Sequence, residues 1–139
     1  MNAPRPAIFN SALSRWVLGW IPLWIATFFV FEGAILPPEK IPVILLQIND
    51  KLEHGTEYFF LFLFAANAFV RAAISQLNHF PLIFAFSYCC LIGGATEAIQ
   101  FFAPGRYPDL QDWVADGLGA SVAFVIVYAL AKMLKVKAQ

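Results

Sequence analysis

Long apolar runs separated by short polar breaks dominate the pattern of this chain. We predict helices over residues 16–36, 51–71, 81–102 and 111–134. A helix rises 1.5 Å per residue, so a run of about 20 residues is long enough to cross about 30 Å of hydrocarbon. The pattern therefore predicts an all-α integral membrane bundle of four transmembrane helices, forming a single domain over residues 1–139.

Proline and capping residues mark the first boundary between helices. Pro37 and Pro38 end the first helix, because consecutive prolines remove backbone donors and fix φ. Residues 41–48 are apolar but too few to span, and we expect them to lie along the interface or against the bundle. Asn49 or Asp50 can then cap the second helix.

Two further features concern the third and fourth helices. Pro81 suits the first position of the third helix, where a missing N–H does no harm. Ala115, Gly119 and Ala123 recur every four residues in the fourth helix and so share one face. Such small faces let transmembrane backbones approach closely, which predicts tight packing against a neighbour.

Composition supports a membrane protein. Of the 139 residues, 60% are hydrophobic and only 13% are charged, whereas a soluble domain is about a quarter charged. A soluble chain of this length has too much surface to hide so many apolar residues. The formal net charge is zero, so we predict no binding of nucleic acid. The adjacent Cys89 and Cys90 are interpreted as packing residues.

Basic residues are unevenly distributed between the two sides that four spans create. One side carries both termini and six basic residues, and the other side carries three, which are Lys40, Lys51 and Arg106. The positive-inside rule then places both termini in the cytoplasm. The hairpin between the third and fourth helices is expected to face outward.

Polar residues gather at this hairpin and at the start of the second helix. We expect them to form one ligand-binding site near the outer leaflet, because an ionisable residue at membrane depth is costly unless it is paired or hydrated. The site residues are Lys51, His54, Glu97, Gln100, Arg106, Asp109, Asp112 and Asp116.

Several roles are open for these residues. Glu97 and His54 are the candidate acid–base residues, while Arg106 paired with Glu97 or Asp109 would instead only lock the turn. Asp112 could equally be a residue that starts its helix. Oxygen and imidazole ligands for a divalent ion are present in His54, Glu97, Asp112 and Asp116. The spacing forms no tight ligand motif, so we predict no metal and no cofactor.

The motifs resemble those of the VanZ-like family. Asp50-Lys51-x-x-His54 is similar to its first signature, and Glu97-x-x-Gln100, Pro104-Gly105-Arg106, Asp109-x-x-Asp112 and Gly119-Ala120 are similar to its second. Asp116 stands where relatives often carry asparagine, which adds negative charge. The resemblance implies a small multi-pass protein of the bacterial inner membrane, of the type named for teicoplanin resistance, and implies no defined reaction.

Three functions fit these observations. The chain could bind an amphiphile of the cell envelope, with Lys51 and Arg106 at its headgroup. It could instead modify a lipid-linked envelope precursor with Glu97 or His54 as acid or base. It could also be an accessory subunit of a larger membrane complex without catalysis. Membrane lipids, a lipid-linked precursor and membrane protein partners are therefore the expected partners.

Overall fold

The computed structural model describes residues 12–37, 40 and 49–137, with side chains as far as residue 134, and all regular structure in these ranges is helical. The first helix, α1, covers Ala12–Ile35, with a π-helical turn at Trp16–Trp20. The other helices are α2 (Asp50–Val70), α3 (Ser75–His79), α4 (Pro81–Gln100) and α5 (Leu110–Lys137).

The helix boundaries differ modestly from those predicted. Helix α1 begins at Ala12 rather than at residue 16, and α4 ends at Gln100 rather than at residue 102. The link expected after the second helix contains the short helix α3. The apolar segment 41–48 lies outside the described residues.

Three of the described helices are long and apolar enough to cross a membrane, namely Ala12–Ile35, Pro81–Gln100 and the Leu110–Leu134 part of α5. Their length and composition fit a membrane protein. Helix α2 is of similar length, with 21 residues, but it is not one of the three. Its polar first turns lower its hydropathy.

Helix α2 is the centre of the bundle and packs against α1, α4 and α5. Its side chains Tyr58, Leu61, Phe62 and Ala65 are almost completely buried. In its polar first turns, Lys51 and His54 are also partly buried between neighbouring helices, whereas Asp50 and Glu53 are exposed. A central helix can therefore carry more polar residues than its neighbours.

The small face predicted on the last helix is confirmed. A Cβ atom added at Gly119 would overlap the carbonyl group of Gly55 and lie 2.8 Å from its Cα atom. Ala115 and Ala123 on the same face are 7% and 0% exposed. Helices α2 and α5 thus meet backbone to backbone, as small residues permit in membranes.

The π-helical turn in α1 has a side-chain partner on α2. Asn67 donates from its amide nitrogen to the carbonyl oxygen of Leu18, and Arg71 donates to the Asn67 carbonyl oxygen at 2.9 Å. A π-turn disturbs the regular backbone ladder, so such side-chain donors stabilise it. Gly19 packs nearby against the backbone of Ala68.

The predicted start signals are confirmed. Asn49 caps α2, since its side-chain oxygen accepts from the backbone N–H of Leu52 at 3.3 Å. Pro81 is the first residue of α4. Cys89 is fully buried and Cys90 half-buried, and both are free thiols, in agreement with a packing role.

Candidate functional site

Lys51 joins the beginning of α2 to the beginning of α5. Its Nζ lies 2.8 Å from Asp109 Oδ2 and 3.3 Å from Asp50 Oδ2, and it also contacts Asp112 Oδ1 closely. The predicted meeting of Lys51 with the hairpin acids is therefore present in the structure. These charge-assisted contacts hold the two helix N-termini together.

His54 lies one turn deeper, between two aspartates of α5. Its Nδ1 is 2.9 Å from Asp116 Oδ1, and its Nε2 is 3.8 Å from Asp112 Oδ2. The geometry follows from helical spacing, because Lys51 and His54 are three residues apart and the two aspartates four apart. Each pair lies on one face of its helix, and the two faces meet.

Glu97 reaches the site from the end of α4. Its Oε2 accepts the backbone N–H of Asp109 at 2.7 Å, which ties α4 to the start of α5. Its Oε1 is buried without a hydrogen-bond partner among the described residues. Gln100, one turn further, is 4% exposed. Of the acid and the amide predicted below the turn, Gln100 is thus buried and Glu97 is half-buried.

Arg106 does not make the ion pair with Glu97 or Asp109 that was one of its alternative roles. Its guanidinium donates instead to the backbone carbonyl oxygens of Leu36, at 3.0 Å, and Gly33, at 2.9 Å. These are unsatisfied acceptors at the C-terminus of α1, where a cation is also favoured by the helix dipole. Arg106 therefore fastens the hairpin to α1.

The hairpin itself has the predicted turn. Gly105 has a φ of 75°, a conformation that favours glycine over residues with a side chain. Asp109 Oδ1 then accepts the backbone N–H of Gln111 at 2.8 Å, so Asp109 caps α5. The hydrogen bond from Lys51 lowers the pKa of the Asp109 carboxyl below its usual value.

Burial and charge distinguish this cluster from a solvated surface patch. Asp112 and Asp116 are 6% and 1% exposed, and Asp116 Oδ2 accepts no hydrogen bond from any described residue. Five carboxyl groups, from Asp50, Glu97, Asp109, Asp112 and Asp116, surround one ammonium group and one imidazole. The formal charge of the cluster is negative in either form of His54.

Gly93 makes room for the most buried carboxylate. A Cβ atom added at Gly93 would lie 2.8 Å from Asp116 Oδ2 and 2.8 Å from the Trp113 ring. The sequence has two adjacent glycines here, Gly93 and Gly94, but it does not show which group lies against them. The packing of α4 against α5 determines which side chain lies against Gly93, and this packing cannot be inferred from the spacing of glycines.

A neutral hydrogen-bond chain that the sequence analysis missed lies below the acids. The hydroxyl groups of Tyr58 and Thr96 are 3.1 Å apart, and the Thr96 hydroxyl donates to the Gly93 carbonyl at 2.9 Å. Tyr58 follows His54 by four residues and so lies on the same face of α2, and this spacing could have indicated that Tyr58 is part of the site. These hydrogen bonds place neutral polar groups between α2 and α4, directly below the acids.

A groove of about 490 Å³ opens beside the acids, between α2 and α5. Its walls are nearly all apolar, and Lys51 is at its polar end. The other lining residues are Leu52, Gly55, Thr56, Phe59, Phe60, Ala115, Leu118, Gly119 and Val122. Lys51 therefore belongs both to the groove and to the charged cluster.

Three of the groups are spaced as ligands of one ion. One ligand atom from each of Asp50, His54 and Asp112 lies within 4.8 Å of the others. Asp50 was predicted as a capping residue and as part of the first family signature, but not as a ligand. The same imidazole, held by a buried carboxylate, could alternatively accept or donate a proton.

Comparison with protein families gives one match. The family model described as VanZ/LLP1 matches residues 9–132, which is most of the chain. Comparisons with curated proteins and with solved structures find no match.

Proposed function

Because the chain belongs to the VanZ/LLP1 family and is a VanZ-like membrane protein, we propose that it binds or modifies an amphiphile of the cell envelope. The headgroup lies at the polar cluster and a hydrocarbon chain lies in the groove. The contacts to the headgroup come from Lys51, His54, Asp109 and Asp112, and the buried Asp116 holds His54 in place. Glu97 and Arg106 hold the hairpin that forms one wall, and the buried Gln100 lies at the beginning of this hairpin.

The proposal includes a four-span topology in a bacterial inner membrane. Helix α2 has 21 residues, a length of about 31 Å at 1.5 Å per residue, which is sufficient to cross the hydrocarbon. Of its charged residues, Lys51, His54 and Glu57 are partly buried in the bundle, and the exposed Asp50 and Glu53 lie in its first turn, which supports counting it as a span. Both termini are then cytoplasmic under the positive-inside rule, and the cluster is at the outer leaflet.

The observation that carries the proposal is the junction of groove and cluster at Lys51. An apolar groove fits a hydrocarbon chain, and a charged cluster at its end fits a polar headgroup. An open groove in the bundle surface allows a lipid to enter sideways from the bilayer. A site for a small water-soluble ligand would not need the apolar part.

Native mass spectrometry of the protein released from mild detergent tests the proposal. Val122→Trp fills the groove, and Val125→Trp is the matched control, because Val125 is 64% exposed on the same helix and does not line the groove. We expect wild type and Val125→Trp to retain a bound lipid that Val122→Trp loses. Equal retention by both variants would contradict the proposal.

The possibility of modification rests on His54. A buried carboxylate that holds Nδ1 leaves Nε2 available either for proton transfer, as in general acid–base sites, or as a metal ligand, and not for both at once. Purified protein incubated with lipid-linked phosphate precursors and divalent ions tests this part. We expect turnover that His54→Gln abolishes. With no turnover in wild type, the protein would be a binding protein only.

A further inference from the structure

We propose that the polar cluster is a divalent-cation site in which Asp50, His54 and Asp112 are the ligands and Asp116 orients His54. The inference rests on the proposed function, since the ion would link an acidic cluster to the phosphate of an amphiphile headgroup. Without such an ion, a site of negative formal charge repels a phosphate. The chemistry of the ligand is thus a divalent cation, with a phosphate ester completing its coordination.

The ligand atoms are already close together. Those of Asp50, His54 and Asp112 lie within 4.8 Å of one another, so a small inward movement of the exposed Asp50 side chain brings all three to the distance of about 2.0–2.3 Å that one ion needs from each ligand. His54 presents Nε2 toward Asp112, at 3.8 Å from Oδ2. Three protein ligands leave further coordination positions for water or a phosphate oxygen.

Asp116 supplies a second observation, which is a buried carboxylate directly behind the imidazole; its Oδ2 faces Gly93 rather than the three ligands. Its side chain is 1% exposed, and its Oδ2 has no hydrogen-bond partner among the described residues. A buried carboxylate with an unsatisfied oxygen is costly. Its other oxygen is 2.9 Å from His54 Nδ1, the position that carboxylates take behind metal-bound imidazoles. A dication beyond the ring compensates this charge.

Lys51 occupies the cluster as a competing cation. Its ammonium contacts both carboxylate ligands, Asp50 and Asp112, and is also held by Asp109, which is not a ligand. The ammonium group repels a divalent ion bound to the same carboxylates and so weakens its binding. Removal of the ammonium therefore strengthens ion binding, whereas loss of a ligand weakens it.

The ligand set selects the class of ion. Carboxylates suit Mg²⁺, Ca²⁺ and Mn²⁺, while imidazole suits Zn²⁺ and the later transition metals. Two carboxylates with one imidazole therefore favour Mn²⁺ or Zn²⁺ over Ca²⁺, which prefers an all-oxygen site. Mn²⁺ is the practical probe, because its free form is directly measured by electron paramagnetic resonance.

Titration of the purified full-length protein with Mn²⁺ in detergent tests the inference. We expect one ion per chain, displaced by Zn²⁺, and binding at least about tenfold weaker in Asp50→Asn and in the orienting variant Asp116→Asn. Glu53→Gln is the matched control, since it removes an exposed acid from the same turn of α2. It should bind Mn²⁺ like wild type, and Lys51→Met should bind it more tightly.

Asp50 is exposed at the first position of α2, so we expect Asp50→Asn to fold. Asp50→Asn therefore tests the cation site even if the buried variant Asp116→Asn fails to fold. An absence of Mn²⁺ binding, or equal weakening by Asp50→Asn and Glu53→Gln, would overturn the cation site. Weaker binding in Lys51→Met would also overturn it.

Lipid retention measured on the same samples separates this inference from the proposed function. If retention depends on the groove but no Mn²⁺ binds, only the cation site fails. If Mn²⁺ binds but Val122→Trp retains lipid like Val125→Trp, the proposed function fails and a cation site without a headgroup role stands.

Discussion

Lys51 compensates more negative charge than any other side chain in the cluster. It contacts three aspartates, two of which belong to the first turns of α5. Negative side chains are favoured at that helix start by the dipole but repel one another. One ammonium placed between them allows the helix start, the hairpin and α2 to remain close together.

The pair of Lys51 and Asp109 predicts a pH dependence. Asp109→Asn removes the negative charge that pairs with Lys51 but keeps a side chain that can cap α5. Because the ion pair is lost, the melting temperature at pH 7 should fall by on the order of a few degrees. Because the folded-state pKa of Asp109 is lowered, its contribution is present above the unfolded value of about 3.9 and is lost as the pH falls through the folded value. Thermal unfolding in detergent between pH 7 and pH 3 measures this.

The difference between wild type and Asp109→Asn should therefore be largest near neutral pH and shrink in acid. Glu53→Gln, an exposed acid of the first turn of α2, is the control. A difference that grew toward acid pH would contradict the ion pair as its source.

The contact of α2 with α5 positions both halves of the site. It brings Lys51 and His54 of one helix against Asp112 and Asp116 of the other. The two backbones touch one turn below, at Gly55 and Gly119. The distance between the two polar faces is consequently set by glycine, and any side chain inserted there separates the charged groups.

Gly119→Ala should destabilise the bundle by about 1–3 kcal/mol or more, because its Cβ atom meets the backbone of Gly55 rather than a movable side chain. Gly117→Ala is the control on the same helix, since no described atom outside the local helix lies within 4 Å of its added Cβ. That control should be neutral or gain up to about 1 kcal/mol of helix propensity. Thermal unfolding of both variants is the measurement, and equal stability would contradict the close approach.

Sequence patterns predicted the four long helices, with some ends displaced by several residues, and the small face of α5, because these depend on local periodicity. They also placed Lys51 and His54 opposite the hairpin acids. They did not predict the contact of Arg106 with α1 or the room that Gly93 makes for Asp116. Both are contacts between separate segments of the chain. The periodicity of a single helix does not determine which atoms of another segment lie against it.

At the largest scale the protein is asymmetric along its helices. The described acids of the cluster lie at the end where α2 and α5 begin and α4 ends. Arg71 follows the opposite end of α2, and Lys132 is in the last turns of α5. Among the described residues, Arg71 and Lys132 lie at one end, and the acids lie at the other end together with Lys51 and Arg106. The positive-inside rule predicts an orientation from this distribution of basic residues.

Cysteine labelling in intact spheroplasts tests this orientation. In a background with Cys89 and Cys90 replaced by alanine, Tyr107→Cys marks the exposed hairpin and Gln76→Cys marks helix α3. We expect a membrane-impermeant maleimide to label Tyr107→Cys in intact spheroplasts and Gln76→Cys only after lysis. The reverse result would place the polar cluster in the cytoplasm.

The most direct test of the proposed function is to identify the molecule that contacts the groove. A photoreactive amino acid at Val122, which lines the groove, is compared with the same amino acid at Val125, which faces outward beside it. After illumination in membranes, mass spectrometry identifies the covalent lipid adducts. We predict one envelope amphiphile enriched at Val122 over the bulk lipids found at Val125. The same lipid composition at both positions would contradict the account.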